Sequence, residues 1–254
     1  MTVAWAGVGA AVGLLVGVVS TAPASWLAQA LSAMTQERLQ LHGSSGTVWT
    51  GQGQLLVGGG PGSQVTVALP GRVAWKLRPH WDHVGLELSA SCCTEVALQA
   101  RLTPRWGDVQ LALDDATSHW PVAVLAGLGA PWNTIGLQGA LQLRSERLSL
   151  KWAGVGWSML GAAQLDALGV TSSLSTLRPL GSYRVRIEGA AAAPTLRLQT
   201  LSGSLQLSGD GQWSGSQWRF LGEARADGQS EEALGNLLNI IGRRQGPRSV
   251  MSFG

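Results

Sequence analysis

The stretch LQGALQLRSERLSLKW, residues 137–152, alternates apolar and polar side chains and decides the fold class. Leu141 and Leu143 fall on one side of an extended chain, and Gln142 between them falls on the other. The polar pair Ser145-Glu146 predicts a turn between this run and a second alternating run. The stretch therefore predicts an antiparallel β-hairpin with one buried face.

The same alternation recurs over most of the chain after residue 60. Alternating apolar runs begin at Val65, Val73, Val96, Val109, Tyr183, Leu196, Leu205 and Phe220. Pro70-Gly71 lies between the first two runs and predicts a second hairpin there. Short strands separated by glycine-rich turns predict a mainly β fold, a predominantly antiparallel and curved sheet that follows a single N-terminal transmembrane helix.

Two short helices are predicted to interrupt the strands. The first spans Pro121 to Leu128, with proline at an early helical position and Gly129 as a stop. The second begins after Ser230 as N-cap and ends before Gly242. The apolar side chains that share one face of this second helix are Leu234, Leu237, Leu238 and Ile241. We expect that face to pack on the sheet.

Three segments resemble one another, because each has a glycine close to its start and an alternating run after it. They are SSGTVWTGQGQL from Ser44, LQGALQLRSERL from Leu137 and LSGSLQLSGDGQW from Leu201. Either the sheet repeats a module, or similar strands and turns arose independently. We predict a membrane anchor with a short linker at 1–36 and a β-rich domain at 37–254, with two similar modules at about 37–120 and 130–254.

The first charged side chain of the chain is Glu37. Val3 to Leu31 is uncharged and predominantly apolar, and about 20 such residues are enough for a helix to span a bilayer. A cleaved signal peptide is the alternative, because Ala22-Pro23-Ala24 has the small-x-small form of a cleavage site. Met1-Thr2 lacks the usual basic residue, so we expect that the true start lies upstream.

Gly9, Gly13 and Gly17 form two overlapping G-x-x-x-G steps on one face of this predicted helix. Small residues at this spacing let another membrane helix approach closely. Glycine is also common in membrane helices in general. The three glycines are therefore candidates for helix packing in the membrane.

The composition limits the class of partner. Charged residues make up 13% of the chain, the net charge is +3, and 12 residues are tryptophan. Arginine residues are scattered except at Arg243, Arg244 and Arg248, and no patch has the size of a nucleic-acid groove, so we do not expect nucleic acid as a partner. Tryptophan combines an apolar body with one donor and suits strands, interfaces and bilayer edges.

The two cysteines, Cys92 and Cys93, are adjacent. In an oxidising compartment they are candidates for a vicinal disulfide, which closes a strained eight-membered ring. The alternatives are two buried thiols, or metal ligation together with His80 and His83. Such a ligand set would be unusual for zinc, so we predict no metal site.

The sequence carries no recognisable catalytic constellation. The glycine-rich run Gly51 to Gly62 lacks the Lys-Ser/Thr ending that holds phosphate. Asp114, Asp115 and His119 fit no regular element in the expected order, so we interpret them as a solvated loop before the first short helix. We therefore predict that the protein is not an enzyme and uses no cofactor.

Six segments between residues 44 and 246 resemble, in their order, successive blocks of a known family. They are SSGTVWTGQGQLLV, AWKLRP, LAGLGAPWNTIGLQGALQL, LGSYRVRIEG, LSGSLQLSGDGQW and ALGNLLNIIGRRQG. Together they resemble the N component of the bacterial type II secretion system. The resemblance implies a single-pass protein of the bacterial inner membrane whose main domain lies in the periplasm.

The same resemblance implies a role in protein export across the outer membrane and no catalytic residues. The expected partners are other inner-membrane and periplasmic subunits of the secretion system, together with membrane lipid. Our hypothesis is a scaffold or assembly factor that contacts partners through membrane glycines, sheet edges or exposed tryptophans.

A second hypothesis assigns the chain to a different class of protein. A long antiparallel sheet with few charges on a membrane anchor also resembles the AsmA-like proteins, whose curved sheets hold lipid in an apolar groove. Polar residues such as Lys76, Arg144 and Arg184 on the second face of several strands argue partly against it, since one dry and one wet face is typical of an ordinary sheet.

Overall fold

The computed structural model describes residues 13–63, 65–129, 132–154, 156–191, 193–215 and 217–254. Besides the helical residues 13–20, the helices in these residues are α1 (Ala24–Met34), a 3-10 helix (Val122–Leu128), α2 (Trp132–Ile135) and α3 (Glu231–Ile241). The strands are β1 (Leu39–Gly46), β2 (Thr50–Gly58), β3 (Thr66–Ala68), β4 (Val73–Pro79), β5 (Val84–Ala90), β6 (Leu98–Arg105), β7 (Asp108–Leu113), β8 (Ala116–Pro121), β9 (Leu137–Ala153), β10 (Gly156–Ser172), β11 (Gly181–Ala191), β12 (Thr195–Gly203), β13 (Leu205–Ser214), β14 (Gln217–Ala226), β15 (Arg243–Gln245) and β16 (Arg248–Phe253).

The sixteen strands of the described residues form one sheet. Its order is β1-β2-β4-β5-β6-β7-β9-β10-β11-β12-β13-β14-β16-β15, while β3 pairs with β2 and β8 pairs with β9. Every pair of neighbouring strands is antiparallel. The predicted mainly β, antiparallel class is confirmed. The sheet runs unbroken from 37–120 into 130–254 through β7, β8 and β9, and the division into two modules stays a prediction.

The predicted turn at Ser145-Glu146 is wrong, because β9 continues through it as one strand of 17 residues. Two residues of β9 between Glu146 and Ser149 oppose the single Gly161 of β10, which is a bulge. Arg147 takes φ 47° and Gly161 takes φ 84° there. The bulge shifts the alternation of β9 by one residue, so its apolar side chains stay on the same face of the sheet on both sides of it.

The hairpin predicted at Pro70-Gly71 is also wrong. Strands β3 and β4 do not pair with each other; both pair with β2, β3 with its C-terminal half and β4 with its N-terminal half. The amide of Leu69 between them also donates to the Leu55 carbonyl, at 2.8 Å. Pro70 and Gly71, with φ 82°, therefore interrupt one extended path without reversing it.

The segment from Asp114 to His119 is not the solvated loop that the sequence predicts. Residues from Ala116 onward form β8, which pairs with the N-terminal half of β9. Its inward positions include Ser118, which is 2% exposed and accepts a hydrogen bond from Trp120 Nε1 at 2.8 Å. The alternation was hidden because a small polar residue occupies a buried position.

Helix α3 covers the apolar face near the C-terminal end of the sheet, as predicted. Leu234, Leu237 and Leu238 are each at most 1% exposed, and they pack against Tyr183 and Ala224 of the sheet. The predicted bounds are confirmed, because the helix starts after Ser230 and stops before Gly242. The Ser230 side chain makes no capping hydrogen bond.

A second apolar cluster lies toward the N-terminal half. Leu69, Val73, Ala90 and Cys93 are buried in it, and Val124 of the 3-10 helix packs on them. The helix predicted at Pro121 to Leu128 is present with 3-10 geometry, follows Pro121, and is ended by glycine. It covers the N-terminal apolar cluster as α3 covers the C-terminal one.

The N-terminal segment is described from residue 13, and residues 13–20 are helical. Their apolar side chains are exposed, with Leu14 at 71% and Leu15 at 64%. Helix α1 follows and packs on β1. Within the described ranges, no helix combines the length and the hydropathy needed to cross a membrane.

Candidate partner-binding surface

One face of the sheet is polar across strands β9 to β14. Residues directly opposite each other in antiparallel strands point to the same face, so the register assigns the members of each row. One row contains Gln142, Asp166, Arg184, Gln199, Ser208 and Glu223, and the next contains Arg144, Gln164, Arg186, Arg197, Asp210 and Leu221. We call these two rows the polar face. Leu221 is the only apolar member of the rows.

Asp166 is buried in the polar face and paired with Arg184 from the next strand. Arg184 Nε donates to Asp166 Oδ1 at 2.7 Å, and the second guanidinium nitrogen donates to Oδ2 at 2.8 Å. Gln164 Nε2 adds a third hydrogen bond at 3.1 Å. The Asp166 side chain is only 4% exposed and that of Arg184 is 31% exposed. The hydrogen bonds from Arg184 lower the pKa of Asp166, so the carboxylate stays charged although it is buried.

Arg186 connects three strands of the same face. It donates to Glu146 of β9 at 2.9 Å, to Glu188 of its own strand at 2.6 Å, and to Gln164 of β10 at 3.3 Å. The hydrogen bond from Arg186 lowers the pKa of Glu146 and raises the pKa of Arg186 itself. This network holds the guanidinium group in a defined position at the border of a concave region.

The concave region lies on the polar face and has a volume of approximately 720 Å³. A second concavity of approximately 330 Å³ shares Arg186, Glu188 and Thr195 with it. We call the larger region the polar groove; the side chains that define it are Arg186, Glu188, Arg197, Asp210, Arg219 and Leu221. It extends from β11 to β16.

The polar groove combines paired charges with an exposed apolar side chain. Arg197 and Asp210 pair across its floor at 3.0 Å, while both side chains remain about three-quarters exposed, at 74% and 77%. Leu221 of the same face is 64% exposed. Arginine side chains around an apolar centre are typical of protein interfaces. The groove suits a polypeptide with charges of both signs and an apolar side chain.

The glycines predicted for helix packing lie only partly in the described residues. Gly9 lies outside them, whereas Gly13 and Gly17 lie in the helical residues 13–20. A Cβ added at either would meet no atom within 4 Å. The face therefore has room for a neighbour, and helix packing stays a prediction.

The cysteines lie at the end of the sheet opposite the β4–β5 turn. Cys92 and Cys93 are bonded to each other in the structure. Cys93 is buried, and its backbone carbonyl accepts a hydrogen bond from the His119 amide at 2.8 Å. His80 and His83 stack on each other at the β4–β5 turn, remote from the cysteines.

Asp114 and Asp115, which the sequence predicted to lie in a solvated loop, both make polar contacts with other strands. Asp115 Oδ1 accepts a hydrogen bond from the Arg147 backbone amide at 2.5 Å, and this contact supports the β9 bulge. Asp114 pairs with Arg101 at 3.0 Å. His119 lies within hydrogen-bond distance of Gln142. Among the residues that the structure describes, no group of three His, Cys, Asp or Glu side chains is arranged to hold a metal ion.

Two features of the surface could not be predicted from the sequence. The alternation in Gln164, Leu165 and Asp166 marks two polar residues on one face, but it does not reveal that Arg184 lies opposite. Trp81 and Trp106 are fully exposed in turns. A large apolar residue between two strand-like runs is the signal that identifies them, because a turn has no core in which to bury it.

Residues 37–251 match the family model of type II secretion system protein N. No curated protein and no solved structure matched the chain. The matched region begins just before β1, ends within β16, and covers the whole sheet apart from the last residues of that strand. The chain therefore belongs to the type II secretion system protein N family.

Proposed function

We propose that this protein is an inner-membrane-anchored periplasmic component of the type II secretion system that acts as a scaffold or assembly factor in protein export. Family membership supports the secretion role. The uncharged segment before Glu37 supports an anchor, and the two cysteines, bonded in the structure, suit the oxidising periplasm. The partners are other subunits of the secretion system.

The polar groove is the observation that carries the scaffold role. It presents an exposed leucine among three arginines and two carboxylates on a rigid, multiply paired sheet. A rigid surface loses little conformational entropy when it binds a partner. Charged side chains of both signs line the larger concavity, and they suit a polypeptide better than the acyl chain of the alternative lipid-binding hypothesis.

The experiment is a comparison of two matched leucines. Leu221, which lines the groove, and Leu160 of β10, which does not, are 64% and 57% exposed. Full-length tagged Leu221→Asp and Leu160→Asp variants are extracted from native membranes in mild detergent, and co-purifying proteins and lipids are quantified by mass spectrometry.

We expect the amount of one secretion-system subunit that co-purifies with Leu221→Asp to fall at least tenfold. The same subunit should co-purify with the wild type and with Leu160→Asp in unchanged amount. Equal recovery with both variants would refute the groove as the binding surface. About one lipid per chain with no protein partner would refute the scaffold and support the lipid-binding alternative.

The proposed orientation has its own test. Protease is added to spheroplasts whose inner membrane is intact, and the fragments are identified by an antibody against a tag at Gly254. Digestion of residues 37–254 is expected for a periplasmic domain, whereas complete protection would refute this location.

A further inference from the structure

Three neighbouring turns at one end of the sheet each carry a tryptophan. Trp49 lies in the β1–β2 turn, Trp81 in the β4–β5 turn and Trp106 in the β6–β7 turn. The register brings the three turns to the same end of the sheet and staggers them: β4 continues to Pro79 beyond Lys76, the partner of Thr50, and β6 continues to Arg105 beyond Leu102, the partner of Val84. We call these three residues and their turns the tryptophan end.

Trp81 and Trp106 are both 106% exposed, which means that neither side chain is covered by the described residues. They lie on adjacent hairpins, whose centres are roughly 10 Å apart across the sheet at the usual spacing between strands. Water disfavours two exposed indole rings, so such a pair marks a docking surface. Indole rings are enriched at the boundary between lipid headgroups and hydrocarbon, where the apolar body and the N–H group are both accommodated.

The N-terminal apolar segment joins the domain at this same end. Trp49 Nε1 donates to the Val19 carbonyl at 2.8 Å, and the Val48 amide donates to the Ala22 carbonyl at 2.9 Å. The helical residues 13–20 that lead into this point expose their apolar side chains. A membrane that holds this segment would therefore lie next to the tryptophan end.

The charges near the exposed tryptophans suit lipid phosphates. Arg78 and Arg105 flank the two turns, and both are exposed. Of the neighbouring carboxylates, Glu87 lies 3.9 Å from the Arg78 guanidinium, Asp82 contacts His83 at 2.7 Å, and Asp108 pairs with Lys151 at 3.1 Å. Cationic side chains next to indole rings are common at the headgroup level of a bilayer.

We propose that Trp81 and Trp106 insert into the headgroup region of the membrane and seat this end of the sheet on the bilayer. The inference rests on the membrane anchor of the proposed function. It is confined to the turns near β1 to β7, because a twist of about 20° per strand turns the later hairpins away from one plane. The polar groove lies on the later strands, β11 to β16, and then remains free for a protein partner.

The test uses the full-length protein in phosphatidylcholine–phosphatidylglycerol vesicles with bromine at acyl positions 6 and 7. The difference in fluorescence between the wild type and the Trp81→Phe/Trp106→Phe double variant gives the contribution of these two indoles. The difference between the wild type and Trp132→Phe gives the contribution of a control indole. Trp132 is 40% exposed and precedes the start of β9, at the opposite end of the sheet. Circular dichroism checks that each variant keeps its fold.

We expect brominated lipid to quench the Trp81/Trp106 component by at least half and to leave the Trp132 component unchanged. If the protein floats with the vesicles and the Trp81/Trp106 component is not quenched, the anchor stands and the seating of the tryptophan end is refuted. If the protein does not float with the vesicles, the anchor is refuted, and this inference with it.

Discussion

Replacing Asp166 by asparagine should lower the free energy of unfolding by about 2 kcal/mol. The change keeps the shape of the side chain and removes the charge that accepts two hydrogen bonds from Arg184, at 2.7 and 2.8 Å. Hydrogen bonds to charged groups contribute about 1.5–3 kcal/mol, and breaking a fully buried ion pair costs about 3–5 kcal/mol. The Arg184 side chain is 31% exposed and keeps part of its hydration, so the lower range applies.

Asp210→Asn is the matched control. Asp210 and Arg197 are also direct cross-strand partners on the polar face, with a distance of 3.0 Å. Their side chains are 74% and 77% exposed, and an exposed pair contributes at most about 1 kcal/mol. Urea unfolding of the full chain in detergent, followed by tryptophan fluorescence, measures both variants. Equal losses in the two variants would refute the argument from burial.

The same pair predicts a pH dependence. Arg184 lowers the pKa of Asp166 in the folded protein, so the carboxylate contributes stability above its unfolded pKa of about 3.9. That stability is lost as the pH falls through the lower, folded pKa. The difference between wild type and Asp166→Asn should therefore be largest near neutral pH and shrink below about pH 4. A difference that is constant down to pH 2 would contradict the ion pair.

Two further changes test the core and the membrane segment. Leu238→Ala should cost about 3–5 kcal/mol, because Leu238 of α3 is completely buried against the sheet, whereas Ile240→Ala on the same helix, 37% exposed, should cost about 1 kcal/mol. Urea unfolding measures both, and similar costs would contradict the packing of α3. Replacing Gly9, Gly13 and Gly17 by leucine should reduce association with other membrane helices several-fold in a co-purification assay; unchanged association would refute that contact.

Helices and strands could be predicted from the sequence more accurately than the turns and bulges that connect or interrupt them. Helix α3 was predicted with its bounds, because an N-terminal polar stretch, a spaced leucine face and Gly242 all point to the same helix. Pro70-Gly71 and Ser145-Glu146 were both mistaken for hairpin turns. Turns and bulges use the same residue types, since both need a break in pairing or a positive φ.

By itself, the sequence determined the strand class, the two faces of the sheet, the helix over α3 and the resemblance to the protein N family. These are local properties, because a period of two residues can be observed without knowing the neighbouring strand.

Only the tertiary structure decided which strands are neighbours, and therefore that Asp166 meets Arg184 and that Trp81 and Trp106 project together. Such contacts depend on register between segments that are far apart in the chain. Alternation is equally consistent with many registers that place the apolar residues on one face.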